Sequence, residues 1–146
     1  VGRKLSSDGG KHIRNYLKLI NDFLNEEKDK QLSEKFIAPL KDAVDNLQKA
    51  LMFFMEKGLK NPLSAVSGAT DFLHLLGLVS LGYIWSQKAK RAKEQLDQTR
   101  DNNEFLEAKI LTGEYFMQRQ LPETELRLKK ILSGEKSIMS LAVSQF

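Results

Sequence analysis

Residues 72–85 read Phe72-Leu73-His74-Leu75-Leu76-Gly77-Leu78-Val79-Ser80-Leu81-Gly82-Tyr83-Ile84-Trp85, and they are apolar on almost every side of a helix. A membrane span needs about 20 such residues, so this shorter run, which also contains a histidine, reads instead as a helix buried among other helices. Asn61-Pro62 opens that helix, with Asn61 as cap and Pro62 in the first turn. His74 is expected to be a neutral, hydrogen-bonded core residue. Gly68, Gly77 and Gly82 each cost about 1 kcal/mol in a helix interior relative to alanine, so their presence predicts close approach of neighbouring backbones. Beyond Trp85 the pattern turns polar, and Lys88, Lys90, Arg91 and Lys93 fall where the helix is expected to end.

Working outward, the flanking segments carry helical periodicity too. Ile13, Leu17, Ile20 and Leu24 recur at helical spacing after Ser7-Asp8-Gly9-Gly10, with Asp8 as the expected cap. The charge run Glu26 to Lys30 reads as a solvated loop that ends this first helix. A second stripe follows: Leu32, Phe36, Leu40, Val44, Leu47, Leu51 and Phe54. Pro39 marks either its true first turn or a kink, and Gly58 is expected to stop it in the left-handed conformation. Asp101 to Asn103 predicts a turn and cap before a fourth helix, whose stripe is read as Phe105, Ala108, Leu111 or Thr112, Tyr115 or Phe116, and Arg119. Leu121-Pro122 bends or interrupts it, and Leu126, Leu128, Ile131 and Leu132 carry it to Ser133-Gly134. The result is an all-α antiparallel four-helix bundle over residues 9–134, preceded by a linker over 1–8. A tail over 135–146 follows, expected to dock through Ile138, Met139 and Leu141.

Composition narrows the function. The 146 residues carry 41% apolar side chains, enough for one core, and a formal net charge of only +4, a small surplus for a dedicated nucleic-acid binder. Cysteine is absent and only His12 and His74 occur, which excludes thiolate sites and makes a histidine-based metal centre hard to assemble. No phosphate loop, dinucleotide fingerprint, zinc-protease motif or serine-hydrolase elbow is present. Asp8-Gly9-Gly10 reads as a cap, and Glu104, Glu107 and Glu114 read as surface carboxylates, because the Glu-x-x-His pairs of a di-iron bundle do not occur. The cluster Lys88 to Lys93 reads as a solvated face. It also allows a free-standing adaptor that binds acidic surfaces, although no aromatics interleave with it as single-strand stacking requires.

Two sets of residues resemble a known family. Val1-Gly2-Arg3-Lys4-Leu5 followed by Asp8-Gly9-Gly10 resembles the junction after the core of acyl-CoA dehydrogenases that carry an extra C-terminal helical domain. Ala69 to Trp85, Glu107-Ala108-Lys109, Tyr115-Phe116 and Leu121-Pro122-Glu123-Thr124 resemble that extra domain in methylthiopropionyl-CoA dehydrogenase-like members. The resemblance implies a parent flavoprotein that binds FAD and oxidises fatty or related acyl-CoA substrates. Its catalytic glutamate would lie in a Tyr-Glu-Gly-Thr segment expected upstream of Val1 and not found in this chain. It therefore implies no catalytic, cofactor-binding or metal residue here, and an inert fragment cut from a longer polypeptide. Arg3 and Lys4 are the candidate contacts to CoA. The implied partners are the dehydrogenase core and a second subunit, with acyl-CoA bound through the parent, no nucleic acid and no membrane span. The implied location is a bacterial cytoplasm.

Overall fold

The structure is a computed structural model that describes residues 10–28, 30–58, 60–98 and 103–145. Arg3, Lys4 and Asp8 lie outside the described residues, as does the linker assigned to 1–8. Helix α1 spans Lys11–Glu27 and begins at Gly10, whose φ of 75° requires the left-handed region. Helix α2 spans Ala38–Phe53 between two widened π turns, Ser33–Ile37 and Phe54–Gly58. Pro39 sits in its first turn, directly after the Ser33–Ile37 π turn. Short α3 (Pro62–Ser67) is capped by the Asn61 side chain, which accepts from the Leu63 N–H at 3.1 Å. Then follow α4 (Ala69–Gln98), α5 (Glu104–Arg119) and α6 (Glu123–Ser133). No strand occurs among the described residues.

Contacts between side chains give the topology. Phe54 meets Phe72 edge-on at 5.2 Å between ring centroids, and Leu40 lies against Gly82, so α2 and α4 run antiparallel. Ile131 approaches Gly68, Arg127 binds Asp71, Leu121 touches Gly82 and Trp85 reaches Gly113, so α5 and α6 together form one broken column antiparallel to α4. Phe23 meets Tyr83 at 5.3 Å and Glu27 meets Lys90 at 2.7 Å, which sets α1 parallel to α4. The molecule is an up-and-down bundle of four columns around one continuous core containing Ile20, Phe36, Leu40, Leu47, Leu75, Val79, Met117 and Ile131.

Several expectations change in detail. The third helix is split at Gly68, against which the Phe54 ring packs so closely that a Cβ would lie 3.0 Å from Phe54 Cζ. Gly82 is a second such notch, with Leu121 and Leu40 at 3.0 and 3.3 Å from a Cβ position, but Gly77 faces open space. Helix α4 is not buried all round: Leu73, His74, Gly77, Leu81 and Ile84 are exposed, because neighbouring columns cover only its other sides. His74 is thus no core histidine. Gly58 does not take a left-handed φ; a Cβ there would instead lie 3.2 Å from Ala65 Cβ, so the missing side chain admits α3. The inward stripe of α5 is Leu106, Ile110, Gly113 and Met117, one step round the helix from the stripe read in the sequence, whose Phe105, Leu111 and Tyr115 face outward. In α6, Leu128 and Ile131 are buried but Leu126 and Leu132 are not. The tail is held through Glu135, which accepts hydrogen bonds from Asn61 Nδ2 at 2.8 Å and from the Ser64 hydroxyl, while Ile138, Met139 and Leu141 remain exposed.

Two glycine substitutions check this packing. Gly113→Ala places a Cβ 2.8 Å from Phe36 Cε1, deep in the core, and is expected to destabilise by about 1–3 kcal/mol. Gly77→Ala adds its methyl to open space on a helix and is expected to stabilise by about 0.4–1 kcal/mol. Urea unfolding followed by circular dichroism reads both.

Candidate functional site

Charged residues collect where α1, α4 and the start of α5 border a cleft of about 840 Å³. Leu19, Phe23, Tyr83, Ile84 and Leu106 supply its apolar lining, and Gln87 donates to the Tyr83 hydroxyl at 2.9 Å. Its charged lining mixes both signs: Lys88, Lys90, Arg91 and Lys109 against Asp22, Glu26 and Glu94. Such a surface has no strong single-sign field to concentrate an anion.

The basic segment lies within α4 and not at its end, since that helix continues to Gln98, and its Lys88, Lys90 and Arg91 line the cleft. Each of its four cations has a neighbour in the same chain. Lys90 binds Glu27 at 2.7 Å and lies 5.9 Å from the Phe23 ring centre. Lys93 pairs with Asp97 at 3.0 Å, Arg91 approaches Glu94 at 3.4 Å, and Lys88 stands 5.0 Å over the Trp85 ring. The last three are solvated contacts worth little each.

Glu27 is different. It is 3% exposed and accepts from both Lys90 and Lys30, the latter at 2.8 Å. The loop expected from Glu26 to Lys30 therefore begins inside α1, and its second residue is a buried brace to α4. Burial pushes the Glu27 carboxyl up, but the hydrogen bonds and charges of Lys30 and Lys90 outweigh it and hold it below 4.5. For Lys90 the hydrogen bond to Glu27 raises the ammonium above its ordinary 10.5 against its own desolvation. The signal available in the sequence was the pairing of an acidic helix end with a basic stretch of another helix. Only the parallel packing of α1 on α4 makes them meet.

A second brace joins α4 to α6. Arg127 Nη1 donates to Asp71 at 2.9 Å, and its Nη2 pairs with Glu123, which raises the guanidinium above its ordinary value. Of the carboxylates set aside in the sequence, Glu114 pairs with Lys35 at 2.8 Å, and Glu104 and Glu107 are solvent-facing. Among the described residues no group of three or more acidic or histidine side chains could hold a metal, and no helix is long and apolar enough to cross a membrane.

An up-and-down all-α bundle braced by ion pairs defines the class. The chain belongs to the acetyl-CoA dehydrogenase C-terminal-like family, whose sequence model matches residues 16–142. It is 26% identical over 144 residues to a 3-methylmercaptopropionyl-CoA dehydrogenase of Ruegeria pomeroyi, covering 98% of this chain and 24% of that protein. The chain thus spans about a quarter of the length of the curated relative it matches.

The brace predicts a pH dependence. A carboxyl held below its ordinary value stabilises the fold above that value, and the stabilisation is lost as pH falls through the lowered folded one. Glu27→Gln, which leaves Lys90 without its charged partner, is expected to cost about 1–3 kcal/mol at neutral pH. The difference from wild type should shrink on acidification below 4.5, as thermal melts across pH would read.

Proposed function

We propose that this chain is the C-terminal accessory domain of an FAD-dependent acyl-CoA dehydrogenase acting on a fatty or related acyl-CoA in a bacterial cytoplasm. The family match over residues 16–142 carries the reading. No dinucleotide-binding motif that would seat a flavin occurs in the sequence. The cleft sets Asp22, Glu26 and Glu94 among Lys88, Lys90, Arg91 and Lys109, so it offers no concentrated positive charge to a flavin pyrophosphate. On this proposal the flavin, the catalytic base and the body of the acyl-CoA site belong to the parent enzyme's core, with Arg3 and Lys4 of this chain as candidate contacts to CoA phosphates.

The domain's own work is mechanical. The outward stripe of α4, Leu73, Leu81 and Ile84, offers an apolar strip to the dehydrogenase body. Its burial there stabilises by about 25 cal/mol per Å². The rival adaptor reading has less to stand on, because Lys90, Arg91 and Lys93 already face acidic partners of their own.

The test compares the complete reading frame with residues 1–146 alone, by flavin absorbance and acyl-CoA-dependent dye reduction. Both signals are expected in the complete protein only, and deleting residues 1–146 from it should lower its solubility and melting temperature. A complete protein that binds no flavin and turns over no acyl-CoA overturns the reading. A deletion with unchanged stability and turnover overturns the supporting role.

A further inference from the structure

Helix α5 carries two apolar faces. Leu106, Ile110, Gly113 and Met117 point into the bundle; on the opposite side, Ala108, Leu111, Thr112 and Tyr115 form a second strip, with Phe105 beside it. Phe105, Leu111 and Tyr115 are 66%, 64% and 59% exposed. The Thr112 hydroxyl is satisfied by the Ala108 carbonyl at 2.7 Å. Glu104 and Arg119 stand at opposite ends of this strip, exposed and without a charged partner among the described residues.

We infer that the outward face of α5 pairs with the same face of a second copy of this chain, antiparallel, about a two-fold axis between Leu111 and Thr112. A two-fold contact must be complementary to itself. Residue 104 and residue 119 are equidistant from that axis, so Glu104 of each copy comes to the Arg119 end of the other and two ion pairs form. Residue 108 and residue 115 are equidistant as well, which sets small Ala108 against large Tyr115 across the seam. A parallel pairing would put Glu104 on Glu104 and Arg119 on Arg119. Charge thus selects the antiparallel arrangement. One helix face is smaller than the roughly 800 Å² per partner of a standard interface, so the isolated chain forms a weak, concentration-dependent dimer. The inference stands on this chain's own surface and does not need the enzyme reading above.

The chain has its own continuous core, so sedimentation velocity on residues 1–146 at low ionic strength reads the association directly. Circular dichroism checks that each surface variant folds. Glu104→Arg and Arg119→Glu alone each replace two attractive contacts by two repulsive ones and should weaken self-association by about tenfold or more. The double variant E104R/R119E should restore it. Mixing the two single variants should give a heterodimer tighter than either homodimer, because every cross-copy contact is then attractive. Rescue in both cases is expected. A chain that stays monomeric to millimolar concentration, or single reversals that leave association unchanged, or a mixture with no gain, overturns the inference.

Discussion

The spacing of the bundle depends on large side chains set into glycine notches on the facing helix. Phe54 fills Gly68, Leu121 fills Gly82 and Phe36 fills Gly113, each so close that a Cβ would meet the intruding side chain at 3.0 Å or less. These contacts tie α2 and its flanking π turns to α4 and the α5–α6 column, from the start of α4 at Gly68 to its middle at Gly82 and Trp85. Side chains packed at crystal-like density have no room to slide, so the notches fix register as well as distance. The polar contacts agree with that register: Asn46 donates to buried Thr124 at 3.3 Å and Arg127 reaches Asp71.

Helix α1 is attached by other means. Its apolar face, Leu17, Ile20, Phe23 and Leu24, covers the core, and Phe23 packs edge-on against Tyr83. The Glu27 carboxylate then ties its C-terminal end to Lys90. A buried carboxylate with two cationic donors keeps its charge at little cost, whereas the same group unpaired would be expelled or protonated. This is why a segment rich in lysine offers less free positive charge than its composition suggests. Within that stretch, Lys90, Arg91 and Lys93 already face acids of the same chain.

The outer surface shows the same division. Among the apolar residues that the bundle leaves exposed, two sets line up along a helix, on α4 at Leu73, Leu81 and Ile84, and on α5 at Ala108, Leu111 and Tyr115. Contiguous exposed apolar residues of this kind mark contact surfaces.

The sequence by itself determined the helices, their order and much of the core, because period and caps are local. The stripe from Phe36 to Phe54, the Asn61 and Asn103 caps and the break at Leu121-Pro122 are all encoded within a few turns of chain. It could not decide which of two apolar faces of α5 turns inward, since Phe105-Ala108-Thr112-Tyr115 and Leu106-Ile110-Gly113-Met117 both recur at the three- and four-residue spacings of a helix face. That choice was made by Phe36 and Trp85, which find the notch at Gly113. Nor could it place Glu27 opposite Lys90, or leave His74 in water. Those outcomes depend on which sides of α4 its neighbours cover, a property of packing between segments distant in sequence and not of any one of them.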